Sequence, residues 1–313
     1  MTAKHVVFGC NGPVGVALMD RLAAAGHEVV GVCRSGHSEA PDGVRIEAGD
    51  VSDPPTSRRL AEGAAVVYGC IGMPYPDWMV GWLPVVDGLV GAAETSGARL
   101  VFADNLYCYG PQQRPLTEET PLTRYGRKPA LRAAMARIML EAHRVGRAQV
   151  ALARASDFYG PRVTNSALGE RVFAKILAGK AAQVLGDPDQ PHAYTYVGDF
   201  ADALVLLGEA EDADYGQAWH VPNAPTESTR QIVQRVGRLV GIDEPRTQTM
   251  PKLMLNVVAL FSPLMRELKE MMYQWEHPYQ VDHSKFAARF RFEPTSFDEG
   301  LEATLEWYRE RES

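Results

Sequence analysis

The stretch His5-Val6-Val7-Phe8-Gly9-Cys10-Asn11-Gly12-Pro13-Val14-Gly15 decides the fold. His5 to Phe8 is short, apolar and rich in β-branched residues, the composition of a buried strand. Val14 to Ala25 carries apolar residues at helical spacing and stops at Gly26. The glycines between them stand three apart. The first permits backbone angles closed to other residues, the second lets the main chain approach a phosphate, and the third lets helix and strand pack closely. The start of the helix adds N–H groups without intrahelical partners and a partial positive charge. Strand, glycine turn and helix in this order predict a dinucleotide pyrophosphate held at Gly9, Asn11, Gly12, Pro13, Val14 and Gly15.

Glu28 to Cys33 is a Val-rich second strand and completes a βαβ unit. The alternation continues with strands at Val44 to Glu47, Ala64 to Tyr68, Arg99 to Ala103 and Val150 to Arg154, and with helices at Leu83 to Ser96 and Ala130 to Val145. The predicted class is α/β: a doubly wound parallel sheet of the Rossmann type with a smaller C-terminal substrate lobe. Residues 1–160, with returning segments near 190–222, are assigned to the dinucleotide-binding domain, and 161–190 with 223–313 to the lobe. Pro251 to Tyr279, heavy in Met, Leu and aromatics, reads as helical core.

Composition excludes several function classes. The 313 residues are 46% hydrophobic, enough to bury a full core, and the net charge of −7 comes with no basic run of five residues. Nucleic acid and anionic membrane surfaces are therefore not expected as partners; a small molecule is. No secretory signal is read at the N-terminus, and the longest apolar candidate, Leu253 to Phe261, falls short of the roughly 18 to 20 residues of a membrane span. Cys10, Cys33, Cys70 and Cys108 lack Cys-x-x-Cys spacing, so no metal site is expected, and reduced thiols fit a cytoplasmic protein. All four fall at expected carboxyl ends of strands, where plain packing is the first reading and a cluster near the ligand the second.

The second strand ends in Cys33-Arg34-Ser35, where an NAD-preferring protein usually carries an acidic residue. A guanidinium at Arg34, beside Ser35, suits a 2′-phosphate and points to NADP(H). After the third strand, Asp50-Val51-Ser52-Asp53 offers a carboxylate to the adenine amino group, or Asp53 caps the following turn. The small-residue stretch Cys70-Ile71-Gly72 after the fourth strand is expected beside the cofactor.

Several stretches together resemble one family. Gly9 to Gly15, Asp50 to Asp53, Leu106-Tyr107-Cys108-Tyr109-Gly110, Arg154 to Pro161, Tyr194 to Asp199 and Trp307-Tyr308-Arg309 are similar, in order, to the extended short-chain dehydrogenase/reductases of the NAD-dependent epimerase/dehydratase type. The resemblance implies a catalytic Ser or Thr after the fifth strand and a Tyr-x-x-x-Lys pair on the next long helix. This chain departs from both. Asn105 takes the hydroxyl position, and Tyr125-Gly126-Arg127-Lys128 puts tyrosine and lysine three apart. Aligned by the apolar stripe of the helix, Lys128 takes the tyrosine place and Arg132 the lysine place. In the family the lysine lowers the tyrosine pKa and binds the nicotinamide ribose, so the phenol can exchange a proton with substrate.

The candidate catalytic groups are Asn105, Tyr125 and Lys128, with Lys128 also on the cofactor and Ser156 on the loop that should pass the nicotinamide. Tyr125 and Lys128 either converge before the helix or leave a site without the phenol acid. Asp104 is read as a base or a turn-maker, and Asp157 is equally ambiguous. Tyr75, Trp78, Tyr107, Phe158, His192 and Trp275 are the expected substrate walls. Aromatic walls suit a cyclic or aromatic substrate better than a sugar nucleotide, which calls for convergent Arg or Lys. The leading expectation is an NADP(H)-dependent oxidoreductase acting on a carbonyl or secondary alcohol. The alternatives are an epimerase or dehydratase with tightly held cofactor, and a non-catalytic NADP(H) sensor. The family resemblance implies a homodimer through the helices Leu83 to Ser96 and Ala130 to Val145.

Overall fold

The computed structural model describes residues 3–251 and 260–312, and the chain divides into two compact units. Unit 1 comprises Met1–Gly110, Pro121–Ala155 and Phe200–Val221; unit 2 comprises Pro111–Thr120, Ser156–Asp199 and Pro222–Ser313. Pro111–Thr120, within the 1–160 assigned from sequence to the dinucleotide-binding domain, belongs to unit 2. Its Leu116 N–H donates to Gln280 O at 2.8 Å within unit 2.

Unit 1 is built on a seven-stranded sheet. Its strands are β1 (Lys4–Phe8), β2 (Glu28–Cys33), β3 (Arg45–Ala48), β4 (Val66–Gly69), β5 (Arg99–Asn105), β6 (Gln149–Ala155) and β7 (Gln217–His220), all parallel, in the spatial order β7-β6-β5-β4-β1-β2-β3. This is the doubly wound Rossmann order, and it reverses between β1 and β4, whose carboxyl ends are therefore neighbours. Helices α1 (Pro13–Ala24), α2 (Pro54–Leu60), α3 (Trp78–Ser96) and α4 (Lys128–Arg144) belong to the same unit. Register aligns Phe8 with Val32 and Gly69, and Phe102 with Gly69 and Leu152. That row is buried under Trp78, Trp82 and Leu89 of α3 and Met135 and Met139 of α4. Parallel strands covered on both faces need near-continuous apolar sequence, which is what β1, β2 and β6 carry.

Two boundaries differ from the sequence reading for one reason. Proline lacks an N–H and disfavours helical angles in the residue before it. Helix α3 nevertheless runs from Trp78 through Pro84, because Trp78 and Trp82, 5% and 2% exposed, anchor the turn ahead of it. Helix α4 begins at Lys128, with Pro129 in its first turn where the missing N–H costs nothing.

Among its described residues unit 2 holds three two-stranded ladders: Asp157–Tyr159 with Tyr194–Tyr196, Pro191–His192 with Glu227–Ser228, and Ala182–Val184 with Thr247–Thr249. Helix Thr229–Leu239 opens with a reciprocal cap between Ser228 and Gln231. The C-terminal helix Phe297–Glu312 is tied down by the Tyr308 hydroxyl, which donates to Val163 O at 2.9 Å. Within the stretch read as helical core, residues 252–259 lie outside the described residues. The remainder forms Pro263–Met271 and Tyr273–Glu276, with Met271 and Trp275 buried. Among the described residues no helix is long and apolar enough to cross a membrane.

A titratable pair sits inside the sheet of unit 1. The His5 ring stacks on Tyr68, its Nδ1 3.1 Å from the Tyr68 hydroxyl, and burial followed by the neighbouring His27 lowers its pKa to about 4. The unfolded chain takes a proton there near pH 6.5, the folded chain only near 4. Stability is therefore lost as pH falls through that window and the loss is complete below it, at about 1.4 kcal/mol per pH unit. His5→Gln keeps an acceptor for Tyr68 and removes the titration; urea unfolding at pH 7 and pH 5 should show the variant losing about 2 kcal/mol less than the parent. Equal losses in both would show that His5 does not govern acid stability.

Candidate functional site

The turn after β1 is held by contacts that admit no side chain. Gly9 has φ +85°, its N–H donates to Val32 O at 2.9 Å, and a Cβ on it would stand 2.4 Å from the carbonyl oxygen of Cys70. A Cβ on Gly15 would stand 2.3 Å from Gly9 O, so α1 lies directly on the turn. Gly12 is different: its nearest neighbour would be 3.6 Å away, an ordinary contact. Its absence of a side chain is thus not required by the protein's own packing and leaves bare backbone at the helix start. Gly12 is the N-cap of α1 with no side chain capping it, and Pro13 follows at the first helical position. The first-turn N–H groups of Val14 and Gly15 have no intrahelical acceptor. Asn11 is exposed beside them.

The neighbouring strand ends complete this edge. Arg34 and Ser35 are exposed just past β2. The Asp50 carboxylate accepts from the Ser52 N–H at 2.9 Å and the Ser52 hydroxyl at 2.6 Å. These bonds from Ser52, with the Arg34 charge, hold it below the usual carboxylate range despite partial burial. Asp53 caps α2 by accepting from the Thr56 N–H at 3.3 Å, the second of its two sequence readings. Val51 and Cys70 are buried, Ile71 is half-buried and Gly72 is exposed.

The structure brings five of the expected residues together where β5 ends. Asn105 Oδ1 accepts from the Tyr107 N–H at 3.1 Å, capping the short turn Leu106–Tyr109. The Tyr107 hydroxyl lies 3.2 Å from that of Tyr75, and its ring stacks on Trp78. Lys128, only 1% exposed, carries its ammonium 5.2 Å from the centre of the Tyr75 ring. Tyr125 lies on the loop before α4, 46% exposed, with its N–H on Thr123 Oγ1. Lys128 rather than Tyr125 thus shares the packed aromatic environment.

In unit 2, the Ser156 hydroxyl is committed to Ala193 O at 2.5 Å. His192, buried, joins two expected residues: its Nε2 lies 3.0 Å from Asp157 Oδ2, and its ring stacks on Trp275 and Tyr279. Its Nδ1 lies 3.0 Å from Gln274 O. With both nitrogens engaged, His192 holds unit 2 together and orients Asp157. Phe158, half-buried, is on the same strand as Asp157. Elsewhere in unit 2 is a groove of about 580 Å³ whose lining includes Thr164, Glu170, Arg171, Lys175, Lys180 and Gln183, three cations to one carboxylate. The sequence reading missed this convergence of cations.

Sequence reading also missed a buried charge network in unit 1. Asp104 is neither an available base nor a turn-maker. Its Oδ1 accepts from Arg132 at 2.9 Å and its Oδ2 from Arg154 at 3.1 Å. Arg154 donates onward to the Tyr109 hydroxyl at 2.6 Å, and that oxygen lies 2.8 Å from His220 Nε2. Arg132 packs its guanidinium over Trp82, 4.6 Å from the ring centre, and Nε and Nη1 meet rings rather than acceptors. The available signal was a charge inside an otherwise apolar strand, Arg154 in Val150-Ala151-Leu152-Ala153-Arg154. Removing the carboxylate leaves two buried guanidiniums unpaired. Asp104→Ala should cost about 3 to 5 kcal/mol in urea unfolding; a loss under 1 kcal/mol would show the network to be incidental.

The model of the family described as "NAD dependent epimerase/dehydratase family" matches residues 5–221, from β1 through β7. UDP-glucose 4-epimerase of Mycolicibacterium smegmatis is 28% identical over 273 residues, covering 77% of this chain and 84% of that protein. Among solved structures, a UDP-N-acetylglucosamine 4-epimerase from Methanobrevibacter ruminantium, in complex with UDP-N-acetylmuramic acid, superposes with a TM-score of 0.81 at 17% identity, over 99% of this chain and 100% of that one. A UDP-glucuronic acid 4-epimerase from Bacillus cereus, in complex with NAD, gives 0.81 at 16% identity, with the same coverage. These structures share the fold, and the match that begins at the opening strand and takes in the whole parallel sheet makes this chain a member of the NAD-dependent epimerase/dehydratase family.

Proposed function

We propose that this chain is a nicotinamide-dinucleotide-dependent enzyme of the epimerase/dehydratase type, acting on a nucleotide-linked sugar. The observation that carries the substrate class is the cationic groove of unit 2. Arg171, Lys175 and Lys180 are spread over ten residues of sequence and converge through the helix Phe173–Leu177 and the strand Ala182–Val184. Convergent cations suit a diphosphate. Their apparent lack had favoured a reductase of cyclic or aromatic substrates, so the reading shifts to the alternative, in keeping with the activity named for the Mycolicibacterium relative.

For the cofactor, the fit rests on the glycine cradle: bare backbone at Gly12, first-turn amides at Val14 and Gly15, and a turn wedged by Gly9 against Cys70. Arg34 and Ser35, exposed beyond β2, favour NADP(H) over NAD(H). When bound, the nicotinamide supplies a hydride acceptor and donor. The chain itself supplies orientation and proton handling. Asn105, which spends its carbonyl on Tyr107, keeps an amide donor for a substrate oxygen. Lys128 holds or releases a proton at Nζ in a site walled by Tyr75, Trp78 and Tyr107, which exclude water. Four free cysteines accord with a cytoplasmic setting. Exposed Met79, Val80 and Leu83 on α3 and Ile138 on α4, helices packed on one another, offer an apolar face for a homodimer.

Calorimetric titration should find NADPH bound at least about tenfold tighter than NADH, a gap of about 1.4 kcal/mol that Arg34→Ala closes. Equal affinities would remove the NADP(H) preference and leave the cofactor class. With UDP- and dTDP-linked hexoses assayed by chromatography, Lys128→Ala should lower kcat about 10² to 10⁴-fold with little change in KM. Tyr125→Phe should change kcat less than threefold, and Arg171→Ala with Lys175→Ala should raise KM about tenfold or more. Dinucleotide binding with no turnover of any nucleotide sugar would return the chain to the sensor reading.

A further inference from the structure

Three of the four thiols stand at the carboxyl ends of neighbouring strands: Cys10 two residues past β1, Cys33 ending β2 and Cys70 just past β4. Cys10 is fully buried and Cys33 5% exposed. Backbones bring this pair together, since the Cys10 N–H reaches Val32 O, one residue before Cys33, at 3.3 Å. A Cβ on Gly31 would stand 2.9 Å from Cys10 Cβ, so the Cys10 side chain lies against the face of β2 that Cys33, two residues on, also presents. Cys33 Sγ also lies 3.4 Å from Ser35 Oγ and 3.3 Å from His37 O, and Cys10 O accepts from Ser38 Oγ at 2.9 Å. The loop 34–38, which carries Arg34 and Ser35, therefore hangs on the same two cysteines that flank the glycine turn. Cys108 lies apart, in the turn after β5.

We propose that Cys10 and Cys33 are a redox modification site: a hydroperoxide converts them to a reversible disulfide, and its closure lowers affinity for the dinucleotide. The regulatory half rests on the cofactor reading above; the covalent half does not.

The chemistry balances without further reagents. The Cys33 thiolate attacks the peroxide, an S–O bond forms as O–O breaks, and water leaves after one proton is taken up. The Cys10 sulfur then attacks the Cys33 sulfur; S–S forms, S–O breaks, and the departing hydroxide leaves as water with the Cys10 proton. Two thiols and one hydrogen peroxide give one disulfide and two waters. The environments assign the roles. Burial raises the Cys33 thiol, but hydrogen bonds with Ser35, Cys10 and the backbone of His37 and Gly36 outweigh it and leave it below its usual value. Burial, then the nearby Cys33, pushes Cys10 up to about 12. Cys33 is thus the attacking sulfur and Cys10 the resolving one. Cys70 is raised by burial and by Cys10, which leaves it the least reactive of the three.

Closure must deform the site. The sulfurs come to about 2.05 Å, so Cys33 gives up its contacts with Ser35 and His37 while Cys10 pulls on the turn. That turn has no slack, because Gly9 sits against the Cys70 carbonyl and Gly15 against Gly9.

The test uses the full chain, reduced, desalted and treated with hydrogen peroxide with or without saturating NADPH. Trypsin cleavage after Lys4, Arg21 and Arg34 puts Cys10 and Cys33 on separate peptides, so mass spectrometry reads the link directly. The expected result is a Cys10–Cys33 linked pair, a fall in dinucleotide affinity of at least tenfold, recovery with dithiothreitol, and slower oxidation when NADPH is bound. Cys33→Ser and Cys10→Ser should each abolish the link, and Cys108→Ser should form it as the parent does. A link through Cys70, oxidation with no link, or a link that leaves affinity unchanged would each overturn the proposal. If the reduced protein binds no dinucleotide, the cofactor reading and the regulatory half fall together, while the mass map still decides the covalent half.

Discussion

The carbonyl oxygen of Cys70 occupies the space a side chain on Gly9 would need, and the carbonyl of Gly9 occupies the space a side chain on Gly15 would need. These two exclusions set the position of helix α1 over the sheet. Because strand order reverses between β1 and β4, the contact is made where two chain halves diverge, and a crevice opens there in doubly wound sheets. The helix start then presents Val14 and Gly15 amides, uncapped by any side chain, to that crevice. The spacing of the glycines is a consequence of backbone meeting backbone. Gly12 differs from these two: a side chain there would meet Gly9 O and Cys70 O only at ordinary contact distance.

A second constraint orders the opposite side of the switch point. One carboxylate, Asp104 at the end of β5, holds two guanidiniums, Arg132 of α4 and Arg154 of β6. The surplus positive charge is spread over the rings of Trp82 and Trp78 and the Tyr109 oxygen, which makes its burial tolerable. Arg132 lies one helical turn beyond Lys128. Fixing Arg132 on Asp104 fixes the rotation of α4 about its axis, and that rotation carries Lys128 inward to the Tyr75 ring.

Much of this was legible in the sequence, for identifiable reasons. Strand-turn-helix grammar located β1, α1 and the sheet because apolar period and glycine punctuation are local properties. The cluster of Asn105, Tyr107, Tyr75, Trp78 and Lys128 was legible as a set of residues but not as a geometry. Long-range pairings were invisible: Arg154 with Asp104, His192 with Asp157, and the groove cations Arg171, Lys175 and Lys180 are joined only by tertiary packing. Prolines misplaced the starts of α3 and α4, since the local penalty of Pro84 is outweighed by burial of Trp78 and Trp82. The thiols were seen at strand ends, but which of them touch depends on β1 lying beside β2.

Replacing a phenol by an ammonium alters the electrostatics of proton transfer. A tyrosine that donates a proton becomes an anion, and a neighbouring lysine cation is what stabilises it. Lys128, in the proposed reading, begins as a cation and ends neutral, so donation removes charge from a buried site instead of creating it. Arg132 stands one turn along the helix, and it shares the Asp104 carboxylate with Arg154, while its guanidinium lies against the Trp82 and Trp78 rings. In that reading the buried ion pair has a role beyond stability: by holding Arg132, Asp104 keeps in register the helix that carries Lys128.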